Sequence, residues 1–473
     1  MKNKLPPGPR GLPIIGNLLE LGARPHESLT NLAKIHGPLM TIQLGLHTTI
    51  VATSAEMAKE ILLKNDQAFL GRPIPHAVTA EHNYQRSVAW LSGGPKWKSL
   101  RKICNTHLFT PQRIDLLQGL RNEMINNGMV KSIQEACDAK QGVNIGRIVF
   151  GTTLNLLSNS MFSGDMLGYK SINAIEELKI LIGKIMELSG KPNLSDYFPF
   201  LKPFDPQGIK KQIKISYDHL HELIDGIVGQ RIKKRETCSD RYGDFLDILL
   251  DQTKDCGTDE FNREDAIILL ADLFIGGTDT TTTTTEWAMT ELIRNPKIME
   301  KAKQELVETI GKGKILQEKD TIQLPYLQSI IKETMRLHTT APLLLPHMAQ
   351  MDVEICGYTI PKHTQVIVNA WALARDPTYW DNPTEFIPER FMNSGIDFRG
   401  TNFYFVPFSS GRRICPGVAL GIRIMCLELA SLIYHFDWEL PNGMAINEMD
   451  MGDKFGTTLQ KATPLIAIPQ LAA

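Results

Sequence analysis

Phe408-Ser409-Ser410-Gly411-Arg412-Arg413-Ile414-Cys415-Pro416-Gly417 lies near the C-terminal end of a 473-residue chain. Its spacing is Phe-x-x-Gly-x-Arg-x-Cys-x-Gly. One cysteine stands among glycines, beside two arginines, just ahead of a long apolar helical pattern. A metal-bound thiolate needs such surroundings, because nearby cations and the positive end of a helix favour the anionic sulfur. The glycines admit close approach of backbone N–H groups to the sulfur and to a flat cofactor. Phe408 can keep water from one side. A cysteine alone reads as a buried structural residue. With four further fixed positions in register, the pattern points to iron ligation by Cys415.

This stretch resembles the haem-binding loop of the cytochrome P-450 family. The resemblance implies haem b with Cys415 as its axial thiolate, a ligand that favours O–O bond cleavage. It also implies that Phe408, Gly411, Arg413 and Gly417 surround the cofactor.

A second strong stretch runs from Asn262 to Arg294 and ends at Asn295-Pro296. It is apolar and helical in its first half and long enough to cross a domain. Gly276-Gly277-Thr278-Asp279-Thr280-Thr281 interrupts it with poor helix formers. A local opening of the helix is expected there, with threonine hydroxyls competing for backbone carbonyls. The family's Gly-Gly-x-Asp-Thr-Thr pattern makes Asp279 and Thr280 a proton-relaying acid–alcohol pair. Most of Thr282–Thr285 read instead as threonines bonded to their own helix.

Three weaker motifs gain meaning from the resemblance. Trp97 and Arg101 share a helix face, and the family uses that pair on a haem propionate. His347 stands where an Arg or His commonly meets a propionate. Glu333 and Arg336 share a face of the Leu324–Leu337 helix, and Arg390 of Pro388-Glu389-Arg390-Phe391 is expected to join them in a buried triad behind the haem loop. Thr339-Thr340 replaces the Pro-Pro usual in plant members, which leaves that backbone less stiff. Candidate substrate contacts are Asp272, Gly276, Thr340, Ala341, Leu344, Leu345, Thr457 and Thr458, the last two in a turn at Phe455–Thr458.

The remaining stretches frame these motifs. Residues 39–53 and 351–369 are the β-rich parts, Gly71–Gly94 is a long loop that the resemblance implies lies over the cofactor, and Ser54 caps a helix. From Gln112 to Lys234 the pattern is helical, broken at Gly190-Lys191-Pro192 and at Tyr197-Phe198-Pro199-Phe200. The second break would suit a lid or a membrane-contacting surface. Cys238–Gly243 reads as a polar surface loop. The net charge is −1 and gives no sign of nucleic-acid binding. The seven cysteines form no paired framework, which favours a reduced compartment. No apolar run reaches the roughly 18–20 residues of a membrane span. Leu5-Pro6-Pro7-Gly8-Pro9-Arg10 resembles the stiff hinge that follows the anchor of microsomal members, so the expectation is an anchor removed ahead of residues 1–10.

The fold class is therefore mainly α with a smaller β-rich part, one integrated unit over 1–473 and a monomer. The expected activity is a haem-thiolate monooxygenase using dioxygen. Electrons come from NADPH through a separate reductase, since no Gly-x-Gly-x-x-Gly motif is present. Lys98, Arg101, Lys102, Arg412 and Arg423 are candidates for the reductase-docking face. The native setting is the cytosolic face of the endoplasmic reticulum membrane. The motif wording is similar to plant terpenoid oxidases, in the group holding geraniol hydroxylases and ferruginol synthase. Of these, the latter implies an abietane diterpene, miltiradiene, as substrate. A geraniol-type hydroxylase, an oxygen-independent peroxide-rearranging enzyme and a non-catalytic haem protein remain the alternatives.

Overall fold

The computed structural model describes residues 4–166, 172–237, 241–255 and 261–472. Residues 238–240 of the surface loop expected at Cys238–Gly243 lie outside them. Helices dominate, and the central one is Arg263–Arg294. Asn262 starts it with a reciprocal capping box: its side chain accepts from the Asp265 N–H at 3.0 Å, and Asp265 accepts from the Asn262 N–H at 2.9 Å. The helix packs along Ile145–Phe162 on one side and Val418–His435 on another. These three helices carry much of the main hydrophobic core, with Leu154, Phe274, Leu292 and Leu429 fully buried.

The expected opening at Gly276-Gly277 does not occur, and the helix runs unbroken through it. The threonine hydroxyls explain why. Thr278 and Thr280 donate back to the carbonyls of Phe274 and Gly276, each at 2.7 Å, so they are satisfied without displacing the ladder.

The two β-rich parts meet in one sheet. Its strands belong to the series β1 (Leu39–Leu44), β2 (His47–Ala52), β3 (His347–Met348), β4 (Val353–Ile355), β5 (Tyr358–Ile360) and β6 (Gln365–Val368). The order is β1-β2-β6-β3, with β2 and β6 parallel from Thr49–Gln365 to Ala52–Val368. β4 and β5 form a separate hairpin. The Gly71–Gly94 loop contains a 3₁₀ stretch at His76–Gln85.

Val418–His435 is long and apolar enough to cross a membrane by composition, although Arg423 and Glu428 interrupt its apolar run. It is a core helix, mostly buried against the central helix.

Candidate active site

A cavity of about 350 Å³ lies between the central helix and the Cys415 loop. Its lining comes from both halves of the chain, from Arg72 to Thr458. Cys415 faces it just before the helix Val418–His435. The Cys415 N–H donates to the Phe408 carbonyl at 3.0 Å, which closes the loop around the sulfur. Phe408 and Gly417 line the cavity beside it. Burial pushes the Cys415 thiol pKa up, opposed by the Gly417 N–H and by the charge of Arg101.

Two expectations for the loop change. Its own arginines do not supply the field at the sulfur. Arg412 is exposed and pairs with Asp66 at 3.1 Å, and Arg413 lies over the Trp97 ring, 4.3 Å from its centroid, donating to the Leu70 and Leu91 carbonyls. Arg101 is the nearby cation instead. Gly411 does not line the cavity. Its φ is +65°, and an added Cβ would lie 1.9 Å from the Leu62 carbonyl oxygen. That glycine is required by the turn's packing on the neighbouring helical segment, where backbone meets backbone.

One end of the cavity is cationic. Arg72, Arg101 and Arg413 all line it, with Trp97 between them. Among the described residues no carboxylate pairs with any of the three. Burial lowers the pKa of each, and Arg72 Nε is buried without a hydrogen-bond partner. Three desolvated guanidinium groups without a counter-ion fit a ligand carrying carboxylates. With the thiol of Cys415 facing the same space, these residues suit haem b and its two propionates. Arg72 was missed in the sequence, where it stood in an aperiodic loop. Its only signal was an arginine before proline, close to the expected cofactor face. His347 does not reach the cavity. Its Nδ1 meets the Phe69 carbonyl at 2.8 Å, Nε2 has no partner, and burial drives its pKa down to about 3. The Trp97 indole N–H donates to the Val88 carbonyl at 3.1 Å, and Arg101 donates to the Ile414 carbonyl at 2.5 Å.

The opposite wall is the central helix, through Asp272, Gly276, Gly277, Thr280, Thr281 and Thr284. Thr280 faces the cavity, whereas Asp279 is turned away from it. The Asp279 carboxylate accepts from Thr458 Oγ1 at 2.7 Å and Gln460 Nε2 at 2.6 Å. Burial raises its pKa to about 6. The two residues of the expected pair therefore do not hydrogen-bond to each other, and Thr458, which lines the cavity, links Asp279 to it. Asp272 holds the overlying loop, accepting from Ser87 Oγ at 3.0 Å and the Val88 N–H at 2.7 Å, with its pKa pushed up to about 7 by burial.

All eight candidate substrate contacts line this cavity. Thr340 shows what replaces the missing proline: its hydroxyl meets Thr284 Oγ1 at 3.0 Å, and its carbonyl accepts from the Leu459 N–H at 2.8 Å. A segment without proline is thus held by cross-links. Leu344 sits at φ +51°, an uncommon backbone for a leucine, and its neighbour Leu345 gives its carbonyl to Arg72 at 2.6 Å.

Glu333, Arg336 and Arg390 meet behind the loop. Glu333 takes two bonds from Arg336, at 2.6 and 2.7 Å, and one from Arg390 at 3.1 Å. Arg336 is fully buried and spends its remaining N–H groups on the Ala374, Pro383 and Glu385 carbonyls. One carboxylate serves two guanidinium groups, and the donors left over go to backbone carbonyls.

Of the expected docking cations, Lys98 and Lys102 are exposed. Arg101 is committed to the loop, and Arg423 is held by Asp115 and Glu318 at 2.6 and 3.2 Å.

The family model for cytochrome P-450 matches residues 6–466. Geraniol 8-hydroxylase from Swertia mussotii is 46% identical, covering 98% of this chain and 93% of its own. Drimenol monooxygenase from Persicaria hydropiper is 43% identical over 99% and 92%. 7-Ethoxycoumarin O-deethylase from Helianthus tuberosus is 45% identical over 98% and 94%.

Proposed function

The chain belongs to the cytochrome P-450 family, and on that premise we propose that its cavity admits a hydrophobic terpenoid and that an abietane-type diterpene, miltiradiene, is oxidised there to the phenol ferruginol. The observation that carries the terpenoid reading is the lining itself. Ile185, Met186, Leu273, Ile275, Leu344 and Leu345 face the same space as Cys415. The one carboxylate among the lining residues, Asp272, is engaged by Ser87 and Val88. Such a wall favours a hydrocarbon skeleton. The diterpene choice rests on the likeness of the motifs to ferruginol synthase.

Haem b, when bound through Cys415, supplies the activation of dioxygen that oxygen insertion requires. The protein's share is placement and proton control. Arg72, Arg101 and Arg413 would hold the propionates, while Trp97, whose one N–H is given to Val88, would support Arg413 through its ring. Thr280 holds a hydroxyl at the cavity wall. Asp279 exchanges protons with the interior through Thr458. The apolar lining keeps bulk water from the reacting carbon. Electrons reach the protein from NADPH through a separate reductase. Lys98 and Lys102 offer that partner a basic face.

A second reading, hydroxylation of a monoterpenol, is favoured by the name of the 46% identical relative, geraniol 8-hydroxylase. Reductase-coupled turnover of miltiradiene and of geraniol, with product identification, separates the two. Ferruginol as the main product supports the first reading, 8-hydroxygeraniol with untouched miltiradiene supports the second, and inertness toward both removes them.

We further place the working protein as a monomer at the cytosolic face of the endoplasmic reticulum membrane. Exposed Ile14, Leu19, Leu46, Phe200 and Phe204 support the membrane contact in that placement. The segments that carry them adjoin, through Gly45 N–H to the Ile15 carbonyl and Leu46 N–H to the Tyr197 carbonyl. Co-flotation with vesicles that is lost in Phe200→Ser/Phe204→Ser is the expected result.

A further inference from the structure

The turn Gly456–Thr458 meets the cavity from the C-terminal tail, yet its outer side leans on the N-terminal helix Pro25–His36. His26 of that helix is fully buried. Its ring stacks on Phe455, with centroids 5.6 Å apart and planes 14° apart. It meets Trp371 edge-on at 5.1 Å. Arg375 covers the same tryptophan at 4.1 Å and donates to the Leu337 carbonyl, at the end of the helix that carries Glu333 and Arg336. One residue before the helix, Arg24 pairs with Asp453 at 2.7 Å, at the start of the tail hairpin.

The histidine itself is unusual. Neither ring nitrogen has a hydrogen-bond partner among the described residues, although a buried N–H without one is costly. Its pKa is lowered to about 3, by burial first and then by Arg24 and Arg375, so the ring is neutral. Its contribution here is its flat face. The turn has little other freedom. Gly190 and Gly456 bring its backbone against the end of the helix Ile172–Gly190, where an added Cβ on Gly190 would lie 2.2 Å from Thr457 N. The Thr457 N–H donates to the Met186 carbonyl at 3.0 Å, and the Leu459 N–H to the Thr340 carbonyl at 2.8 Å.

We propose that His26, through its stack on Phe455, is a positioning residue that sets the Gly456–Thr458 wall of the cavity and thereby the fit of the substrate. The column Arg375–Trp371–His26–Phe455 runs from the scaffold behind the cofactor loop to that wall, and the N-terminal helix completes it. This deepens the reading of the cavity as the substrate site.

The test compares His26→Ala with His26→Phe in the full, haem-loaded chain, by amide hydrogen exchange and by spectral titration with clotrimazole. His26→Ala is expected to speed exchange at Thr457 and Leu459 about tenfold and to weaken clotrimazole binding about fivefold, with the spectrum of the reduced carbon monoxide complex unchanged. His26→Phe, which keeps the face and needs no hydrogen bond, restores both to within about twofold of the parent protein. Unchanged exchange at the two amides in His26→Ala overturns the proposal. So does an equal rise across the chain, or a failure of His26→Phe to restore. If His26→Ala yields no haem-loaded protein, Phe455→Leu, which removes the same stack from the other side, carries the test. It then speeds the same two amides about threefold, and no change there overturns the proposal. Neither readout uses a terpenoid, so inertness toward miltiradiene and geraniol would remove the substrate assignment and leave this result standing.

Discussion

Thr458 Oγ1 donates to Asp279 Oδ2 at 2.7 Å, joining the C-terminal tail to the middle of the central helix. Asp279 is buried, and its pKa is raised to about 6. Such a group takes up and gives back protons near neutral pH, the property a relay needs. Because Asp279 points away from Thr280, Thr458 is its route to the cavity. We expect product formed per NADPH to fall as pH rises through about 6 in the parent protein, as Asp279 loses the proton it delivers. Thr458→Val removes that route together with one hydrogen bond to the charged form, so coupled turnover falls and the inflection that remains moves to higher pH. Asp279→Asn abolishes it and lowers coupled turnover about tenfold or more. A pH profile of coupling from 5 to 8 checks all three, and the same inflection in Asp279→Asn would sink the assignment.

Arg72, and not the expected His347, is the third cationic wall residue beside Arg101 and Arg413. Arg72 lines the cavity with Arg101 and Arg413, whereas His347 is turned to the Phe69 carbonyl. Arg72→Leu should therefore release haem to apomyoglobin about threefold faster or more, since one of three guanidinium groups is gone. His347→Leu should change that rate less than Arg72→Leu does. The reverse order would return the propionate contact to His347.

How far the sequence carried the fold varies by element, and the reasons are physical. The central helix was legible at both ends, because Asn262 and Asn295-Pro296 are strong local signals. Its interior was not. The propensities of Gly276-Gly277 argued for an opening, but hydroxyl bonds to Phe274 and Gly276 and packing on two neighbouring helices outweigh a local cost of about 1 kcal/mol per glycine. The wall residues Ala341, Leu344, Leu345 and Thr457 came from motif position and do line the cavity. Side-chain direction was beyond reach. Asp279 and Thr280 are adjacent in sequence, and a helix turns by roughly 100° between neighbours, so one faces the tail and the other the cavity. Contacts between remote loops, such as Arg413 with Leu70 and Leu91, leave no periodic trace at all.

Gly411 tests the loop's geometry apart from its chemistry. Gly411→Ala adds a Cβ where the Leu62 carbonyl already lies, at a φ of +65°. Strain and overpacking together should cost about 3 kcal/mol or more. The variant should accumulate with little haem and unfold at a lower temperature. Gly417→Ala meets only ordinary contacts, 3.9 Å from Cys415 Sγ and from Phe109, and should keep most of the parent stability. Thermal unfolding of the two variants, each scored for haem content, gives the comparison.

Glu428 gives the last expected outcome. It is fully buried on the helix after Cys415, accepting from Thr153 at 2.7 Å and Thr285 at 3.3 Å. Burial raises its pKa to about 8, against the two hydroxyl bonds that lower it. In the unfolded chain the same group titrates near 4.3. Between those two values the folded protein holds a proton that the unfolded chain has lost, so stability falls as pH rises across that window and levels off above about 8. Glu428→Gln keeps the shape and the hydrogen-bonding capacity but cannot ionise. Its melting temperature relative to the parent protein should therefore climb by a few degrees between pH 5 and pH 8 and then hold constant. A difference that stays flat from pH 5 to pH 9 would mean that Glu428 is ionised throughout, and that its two threonines outweigh burial.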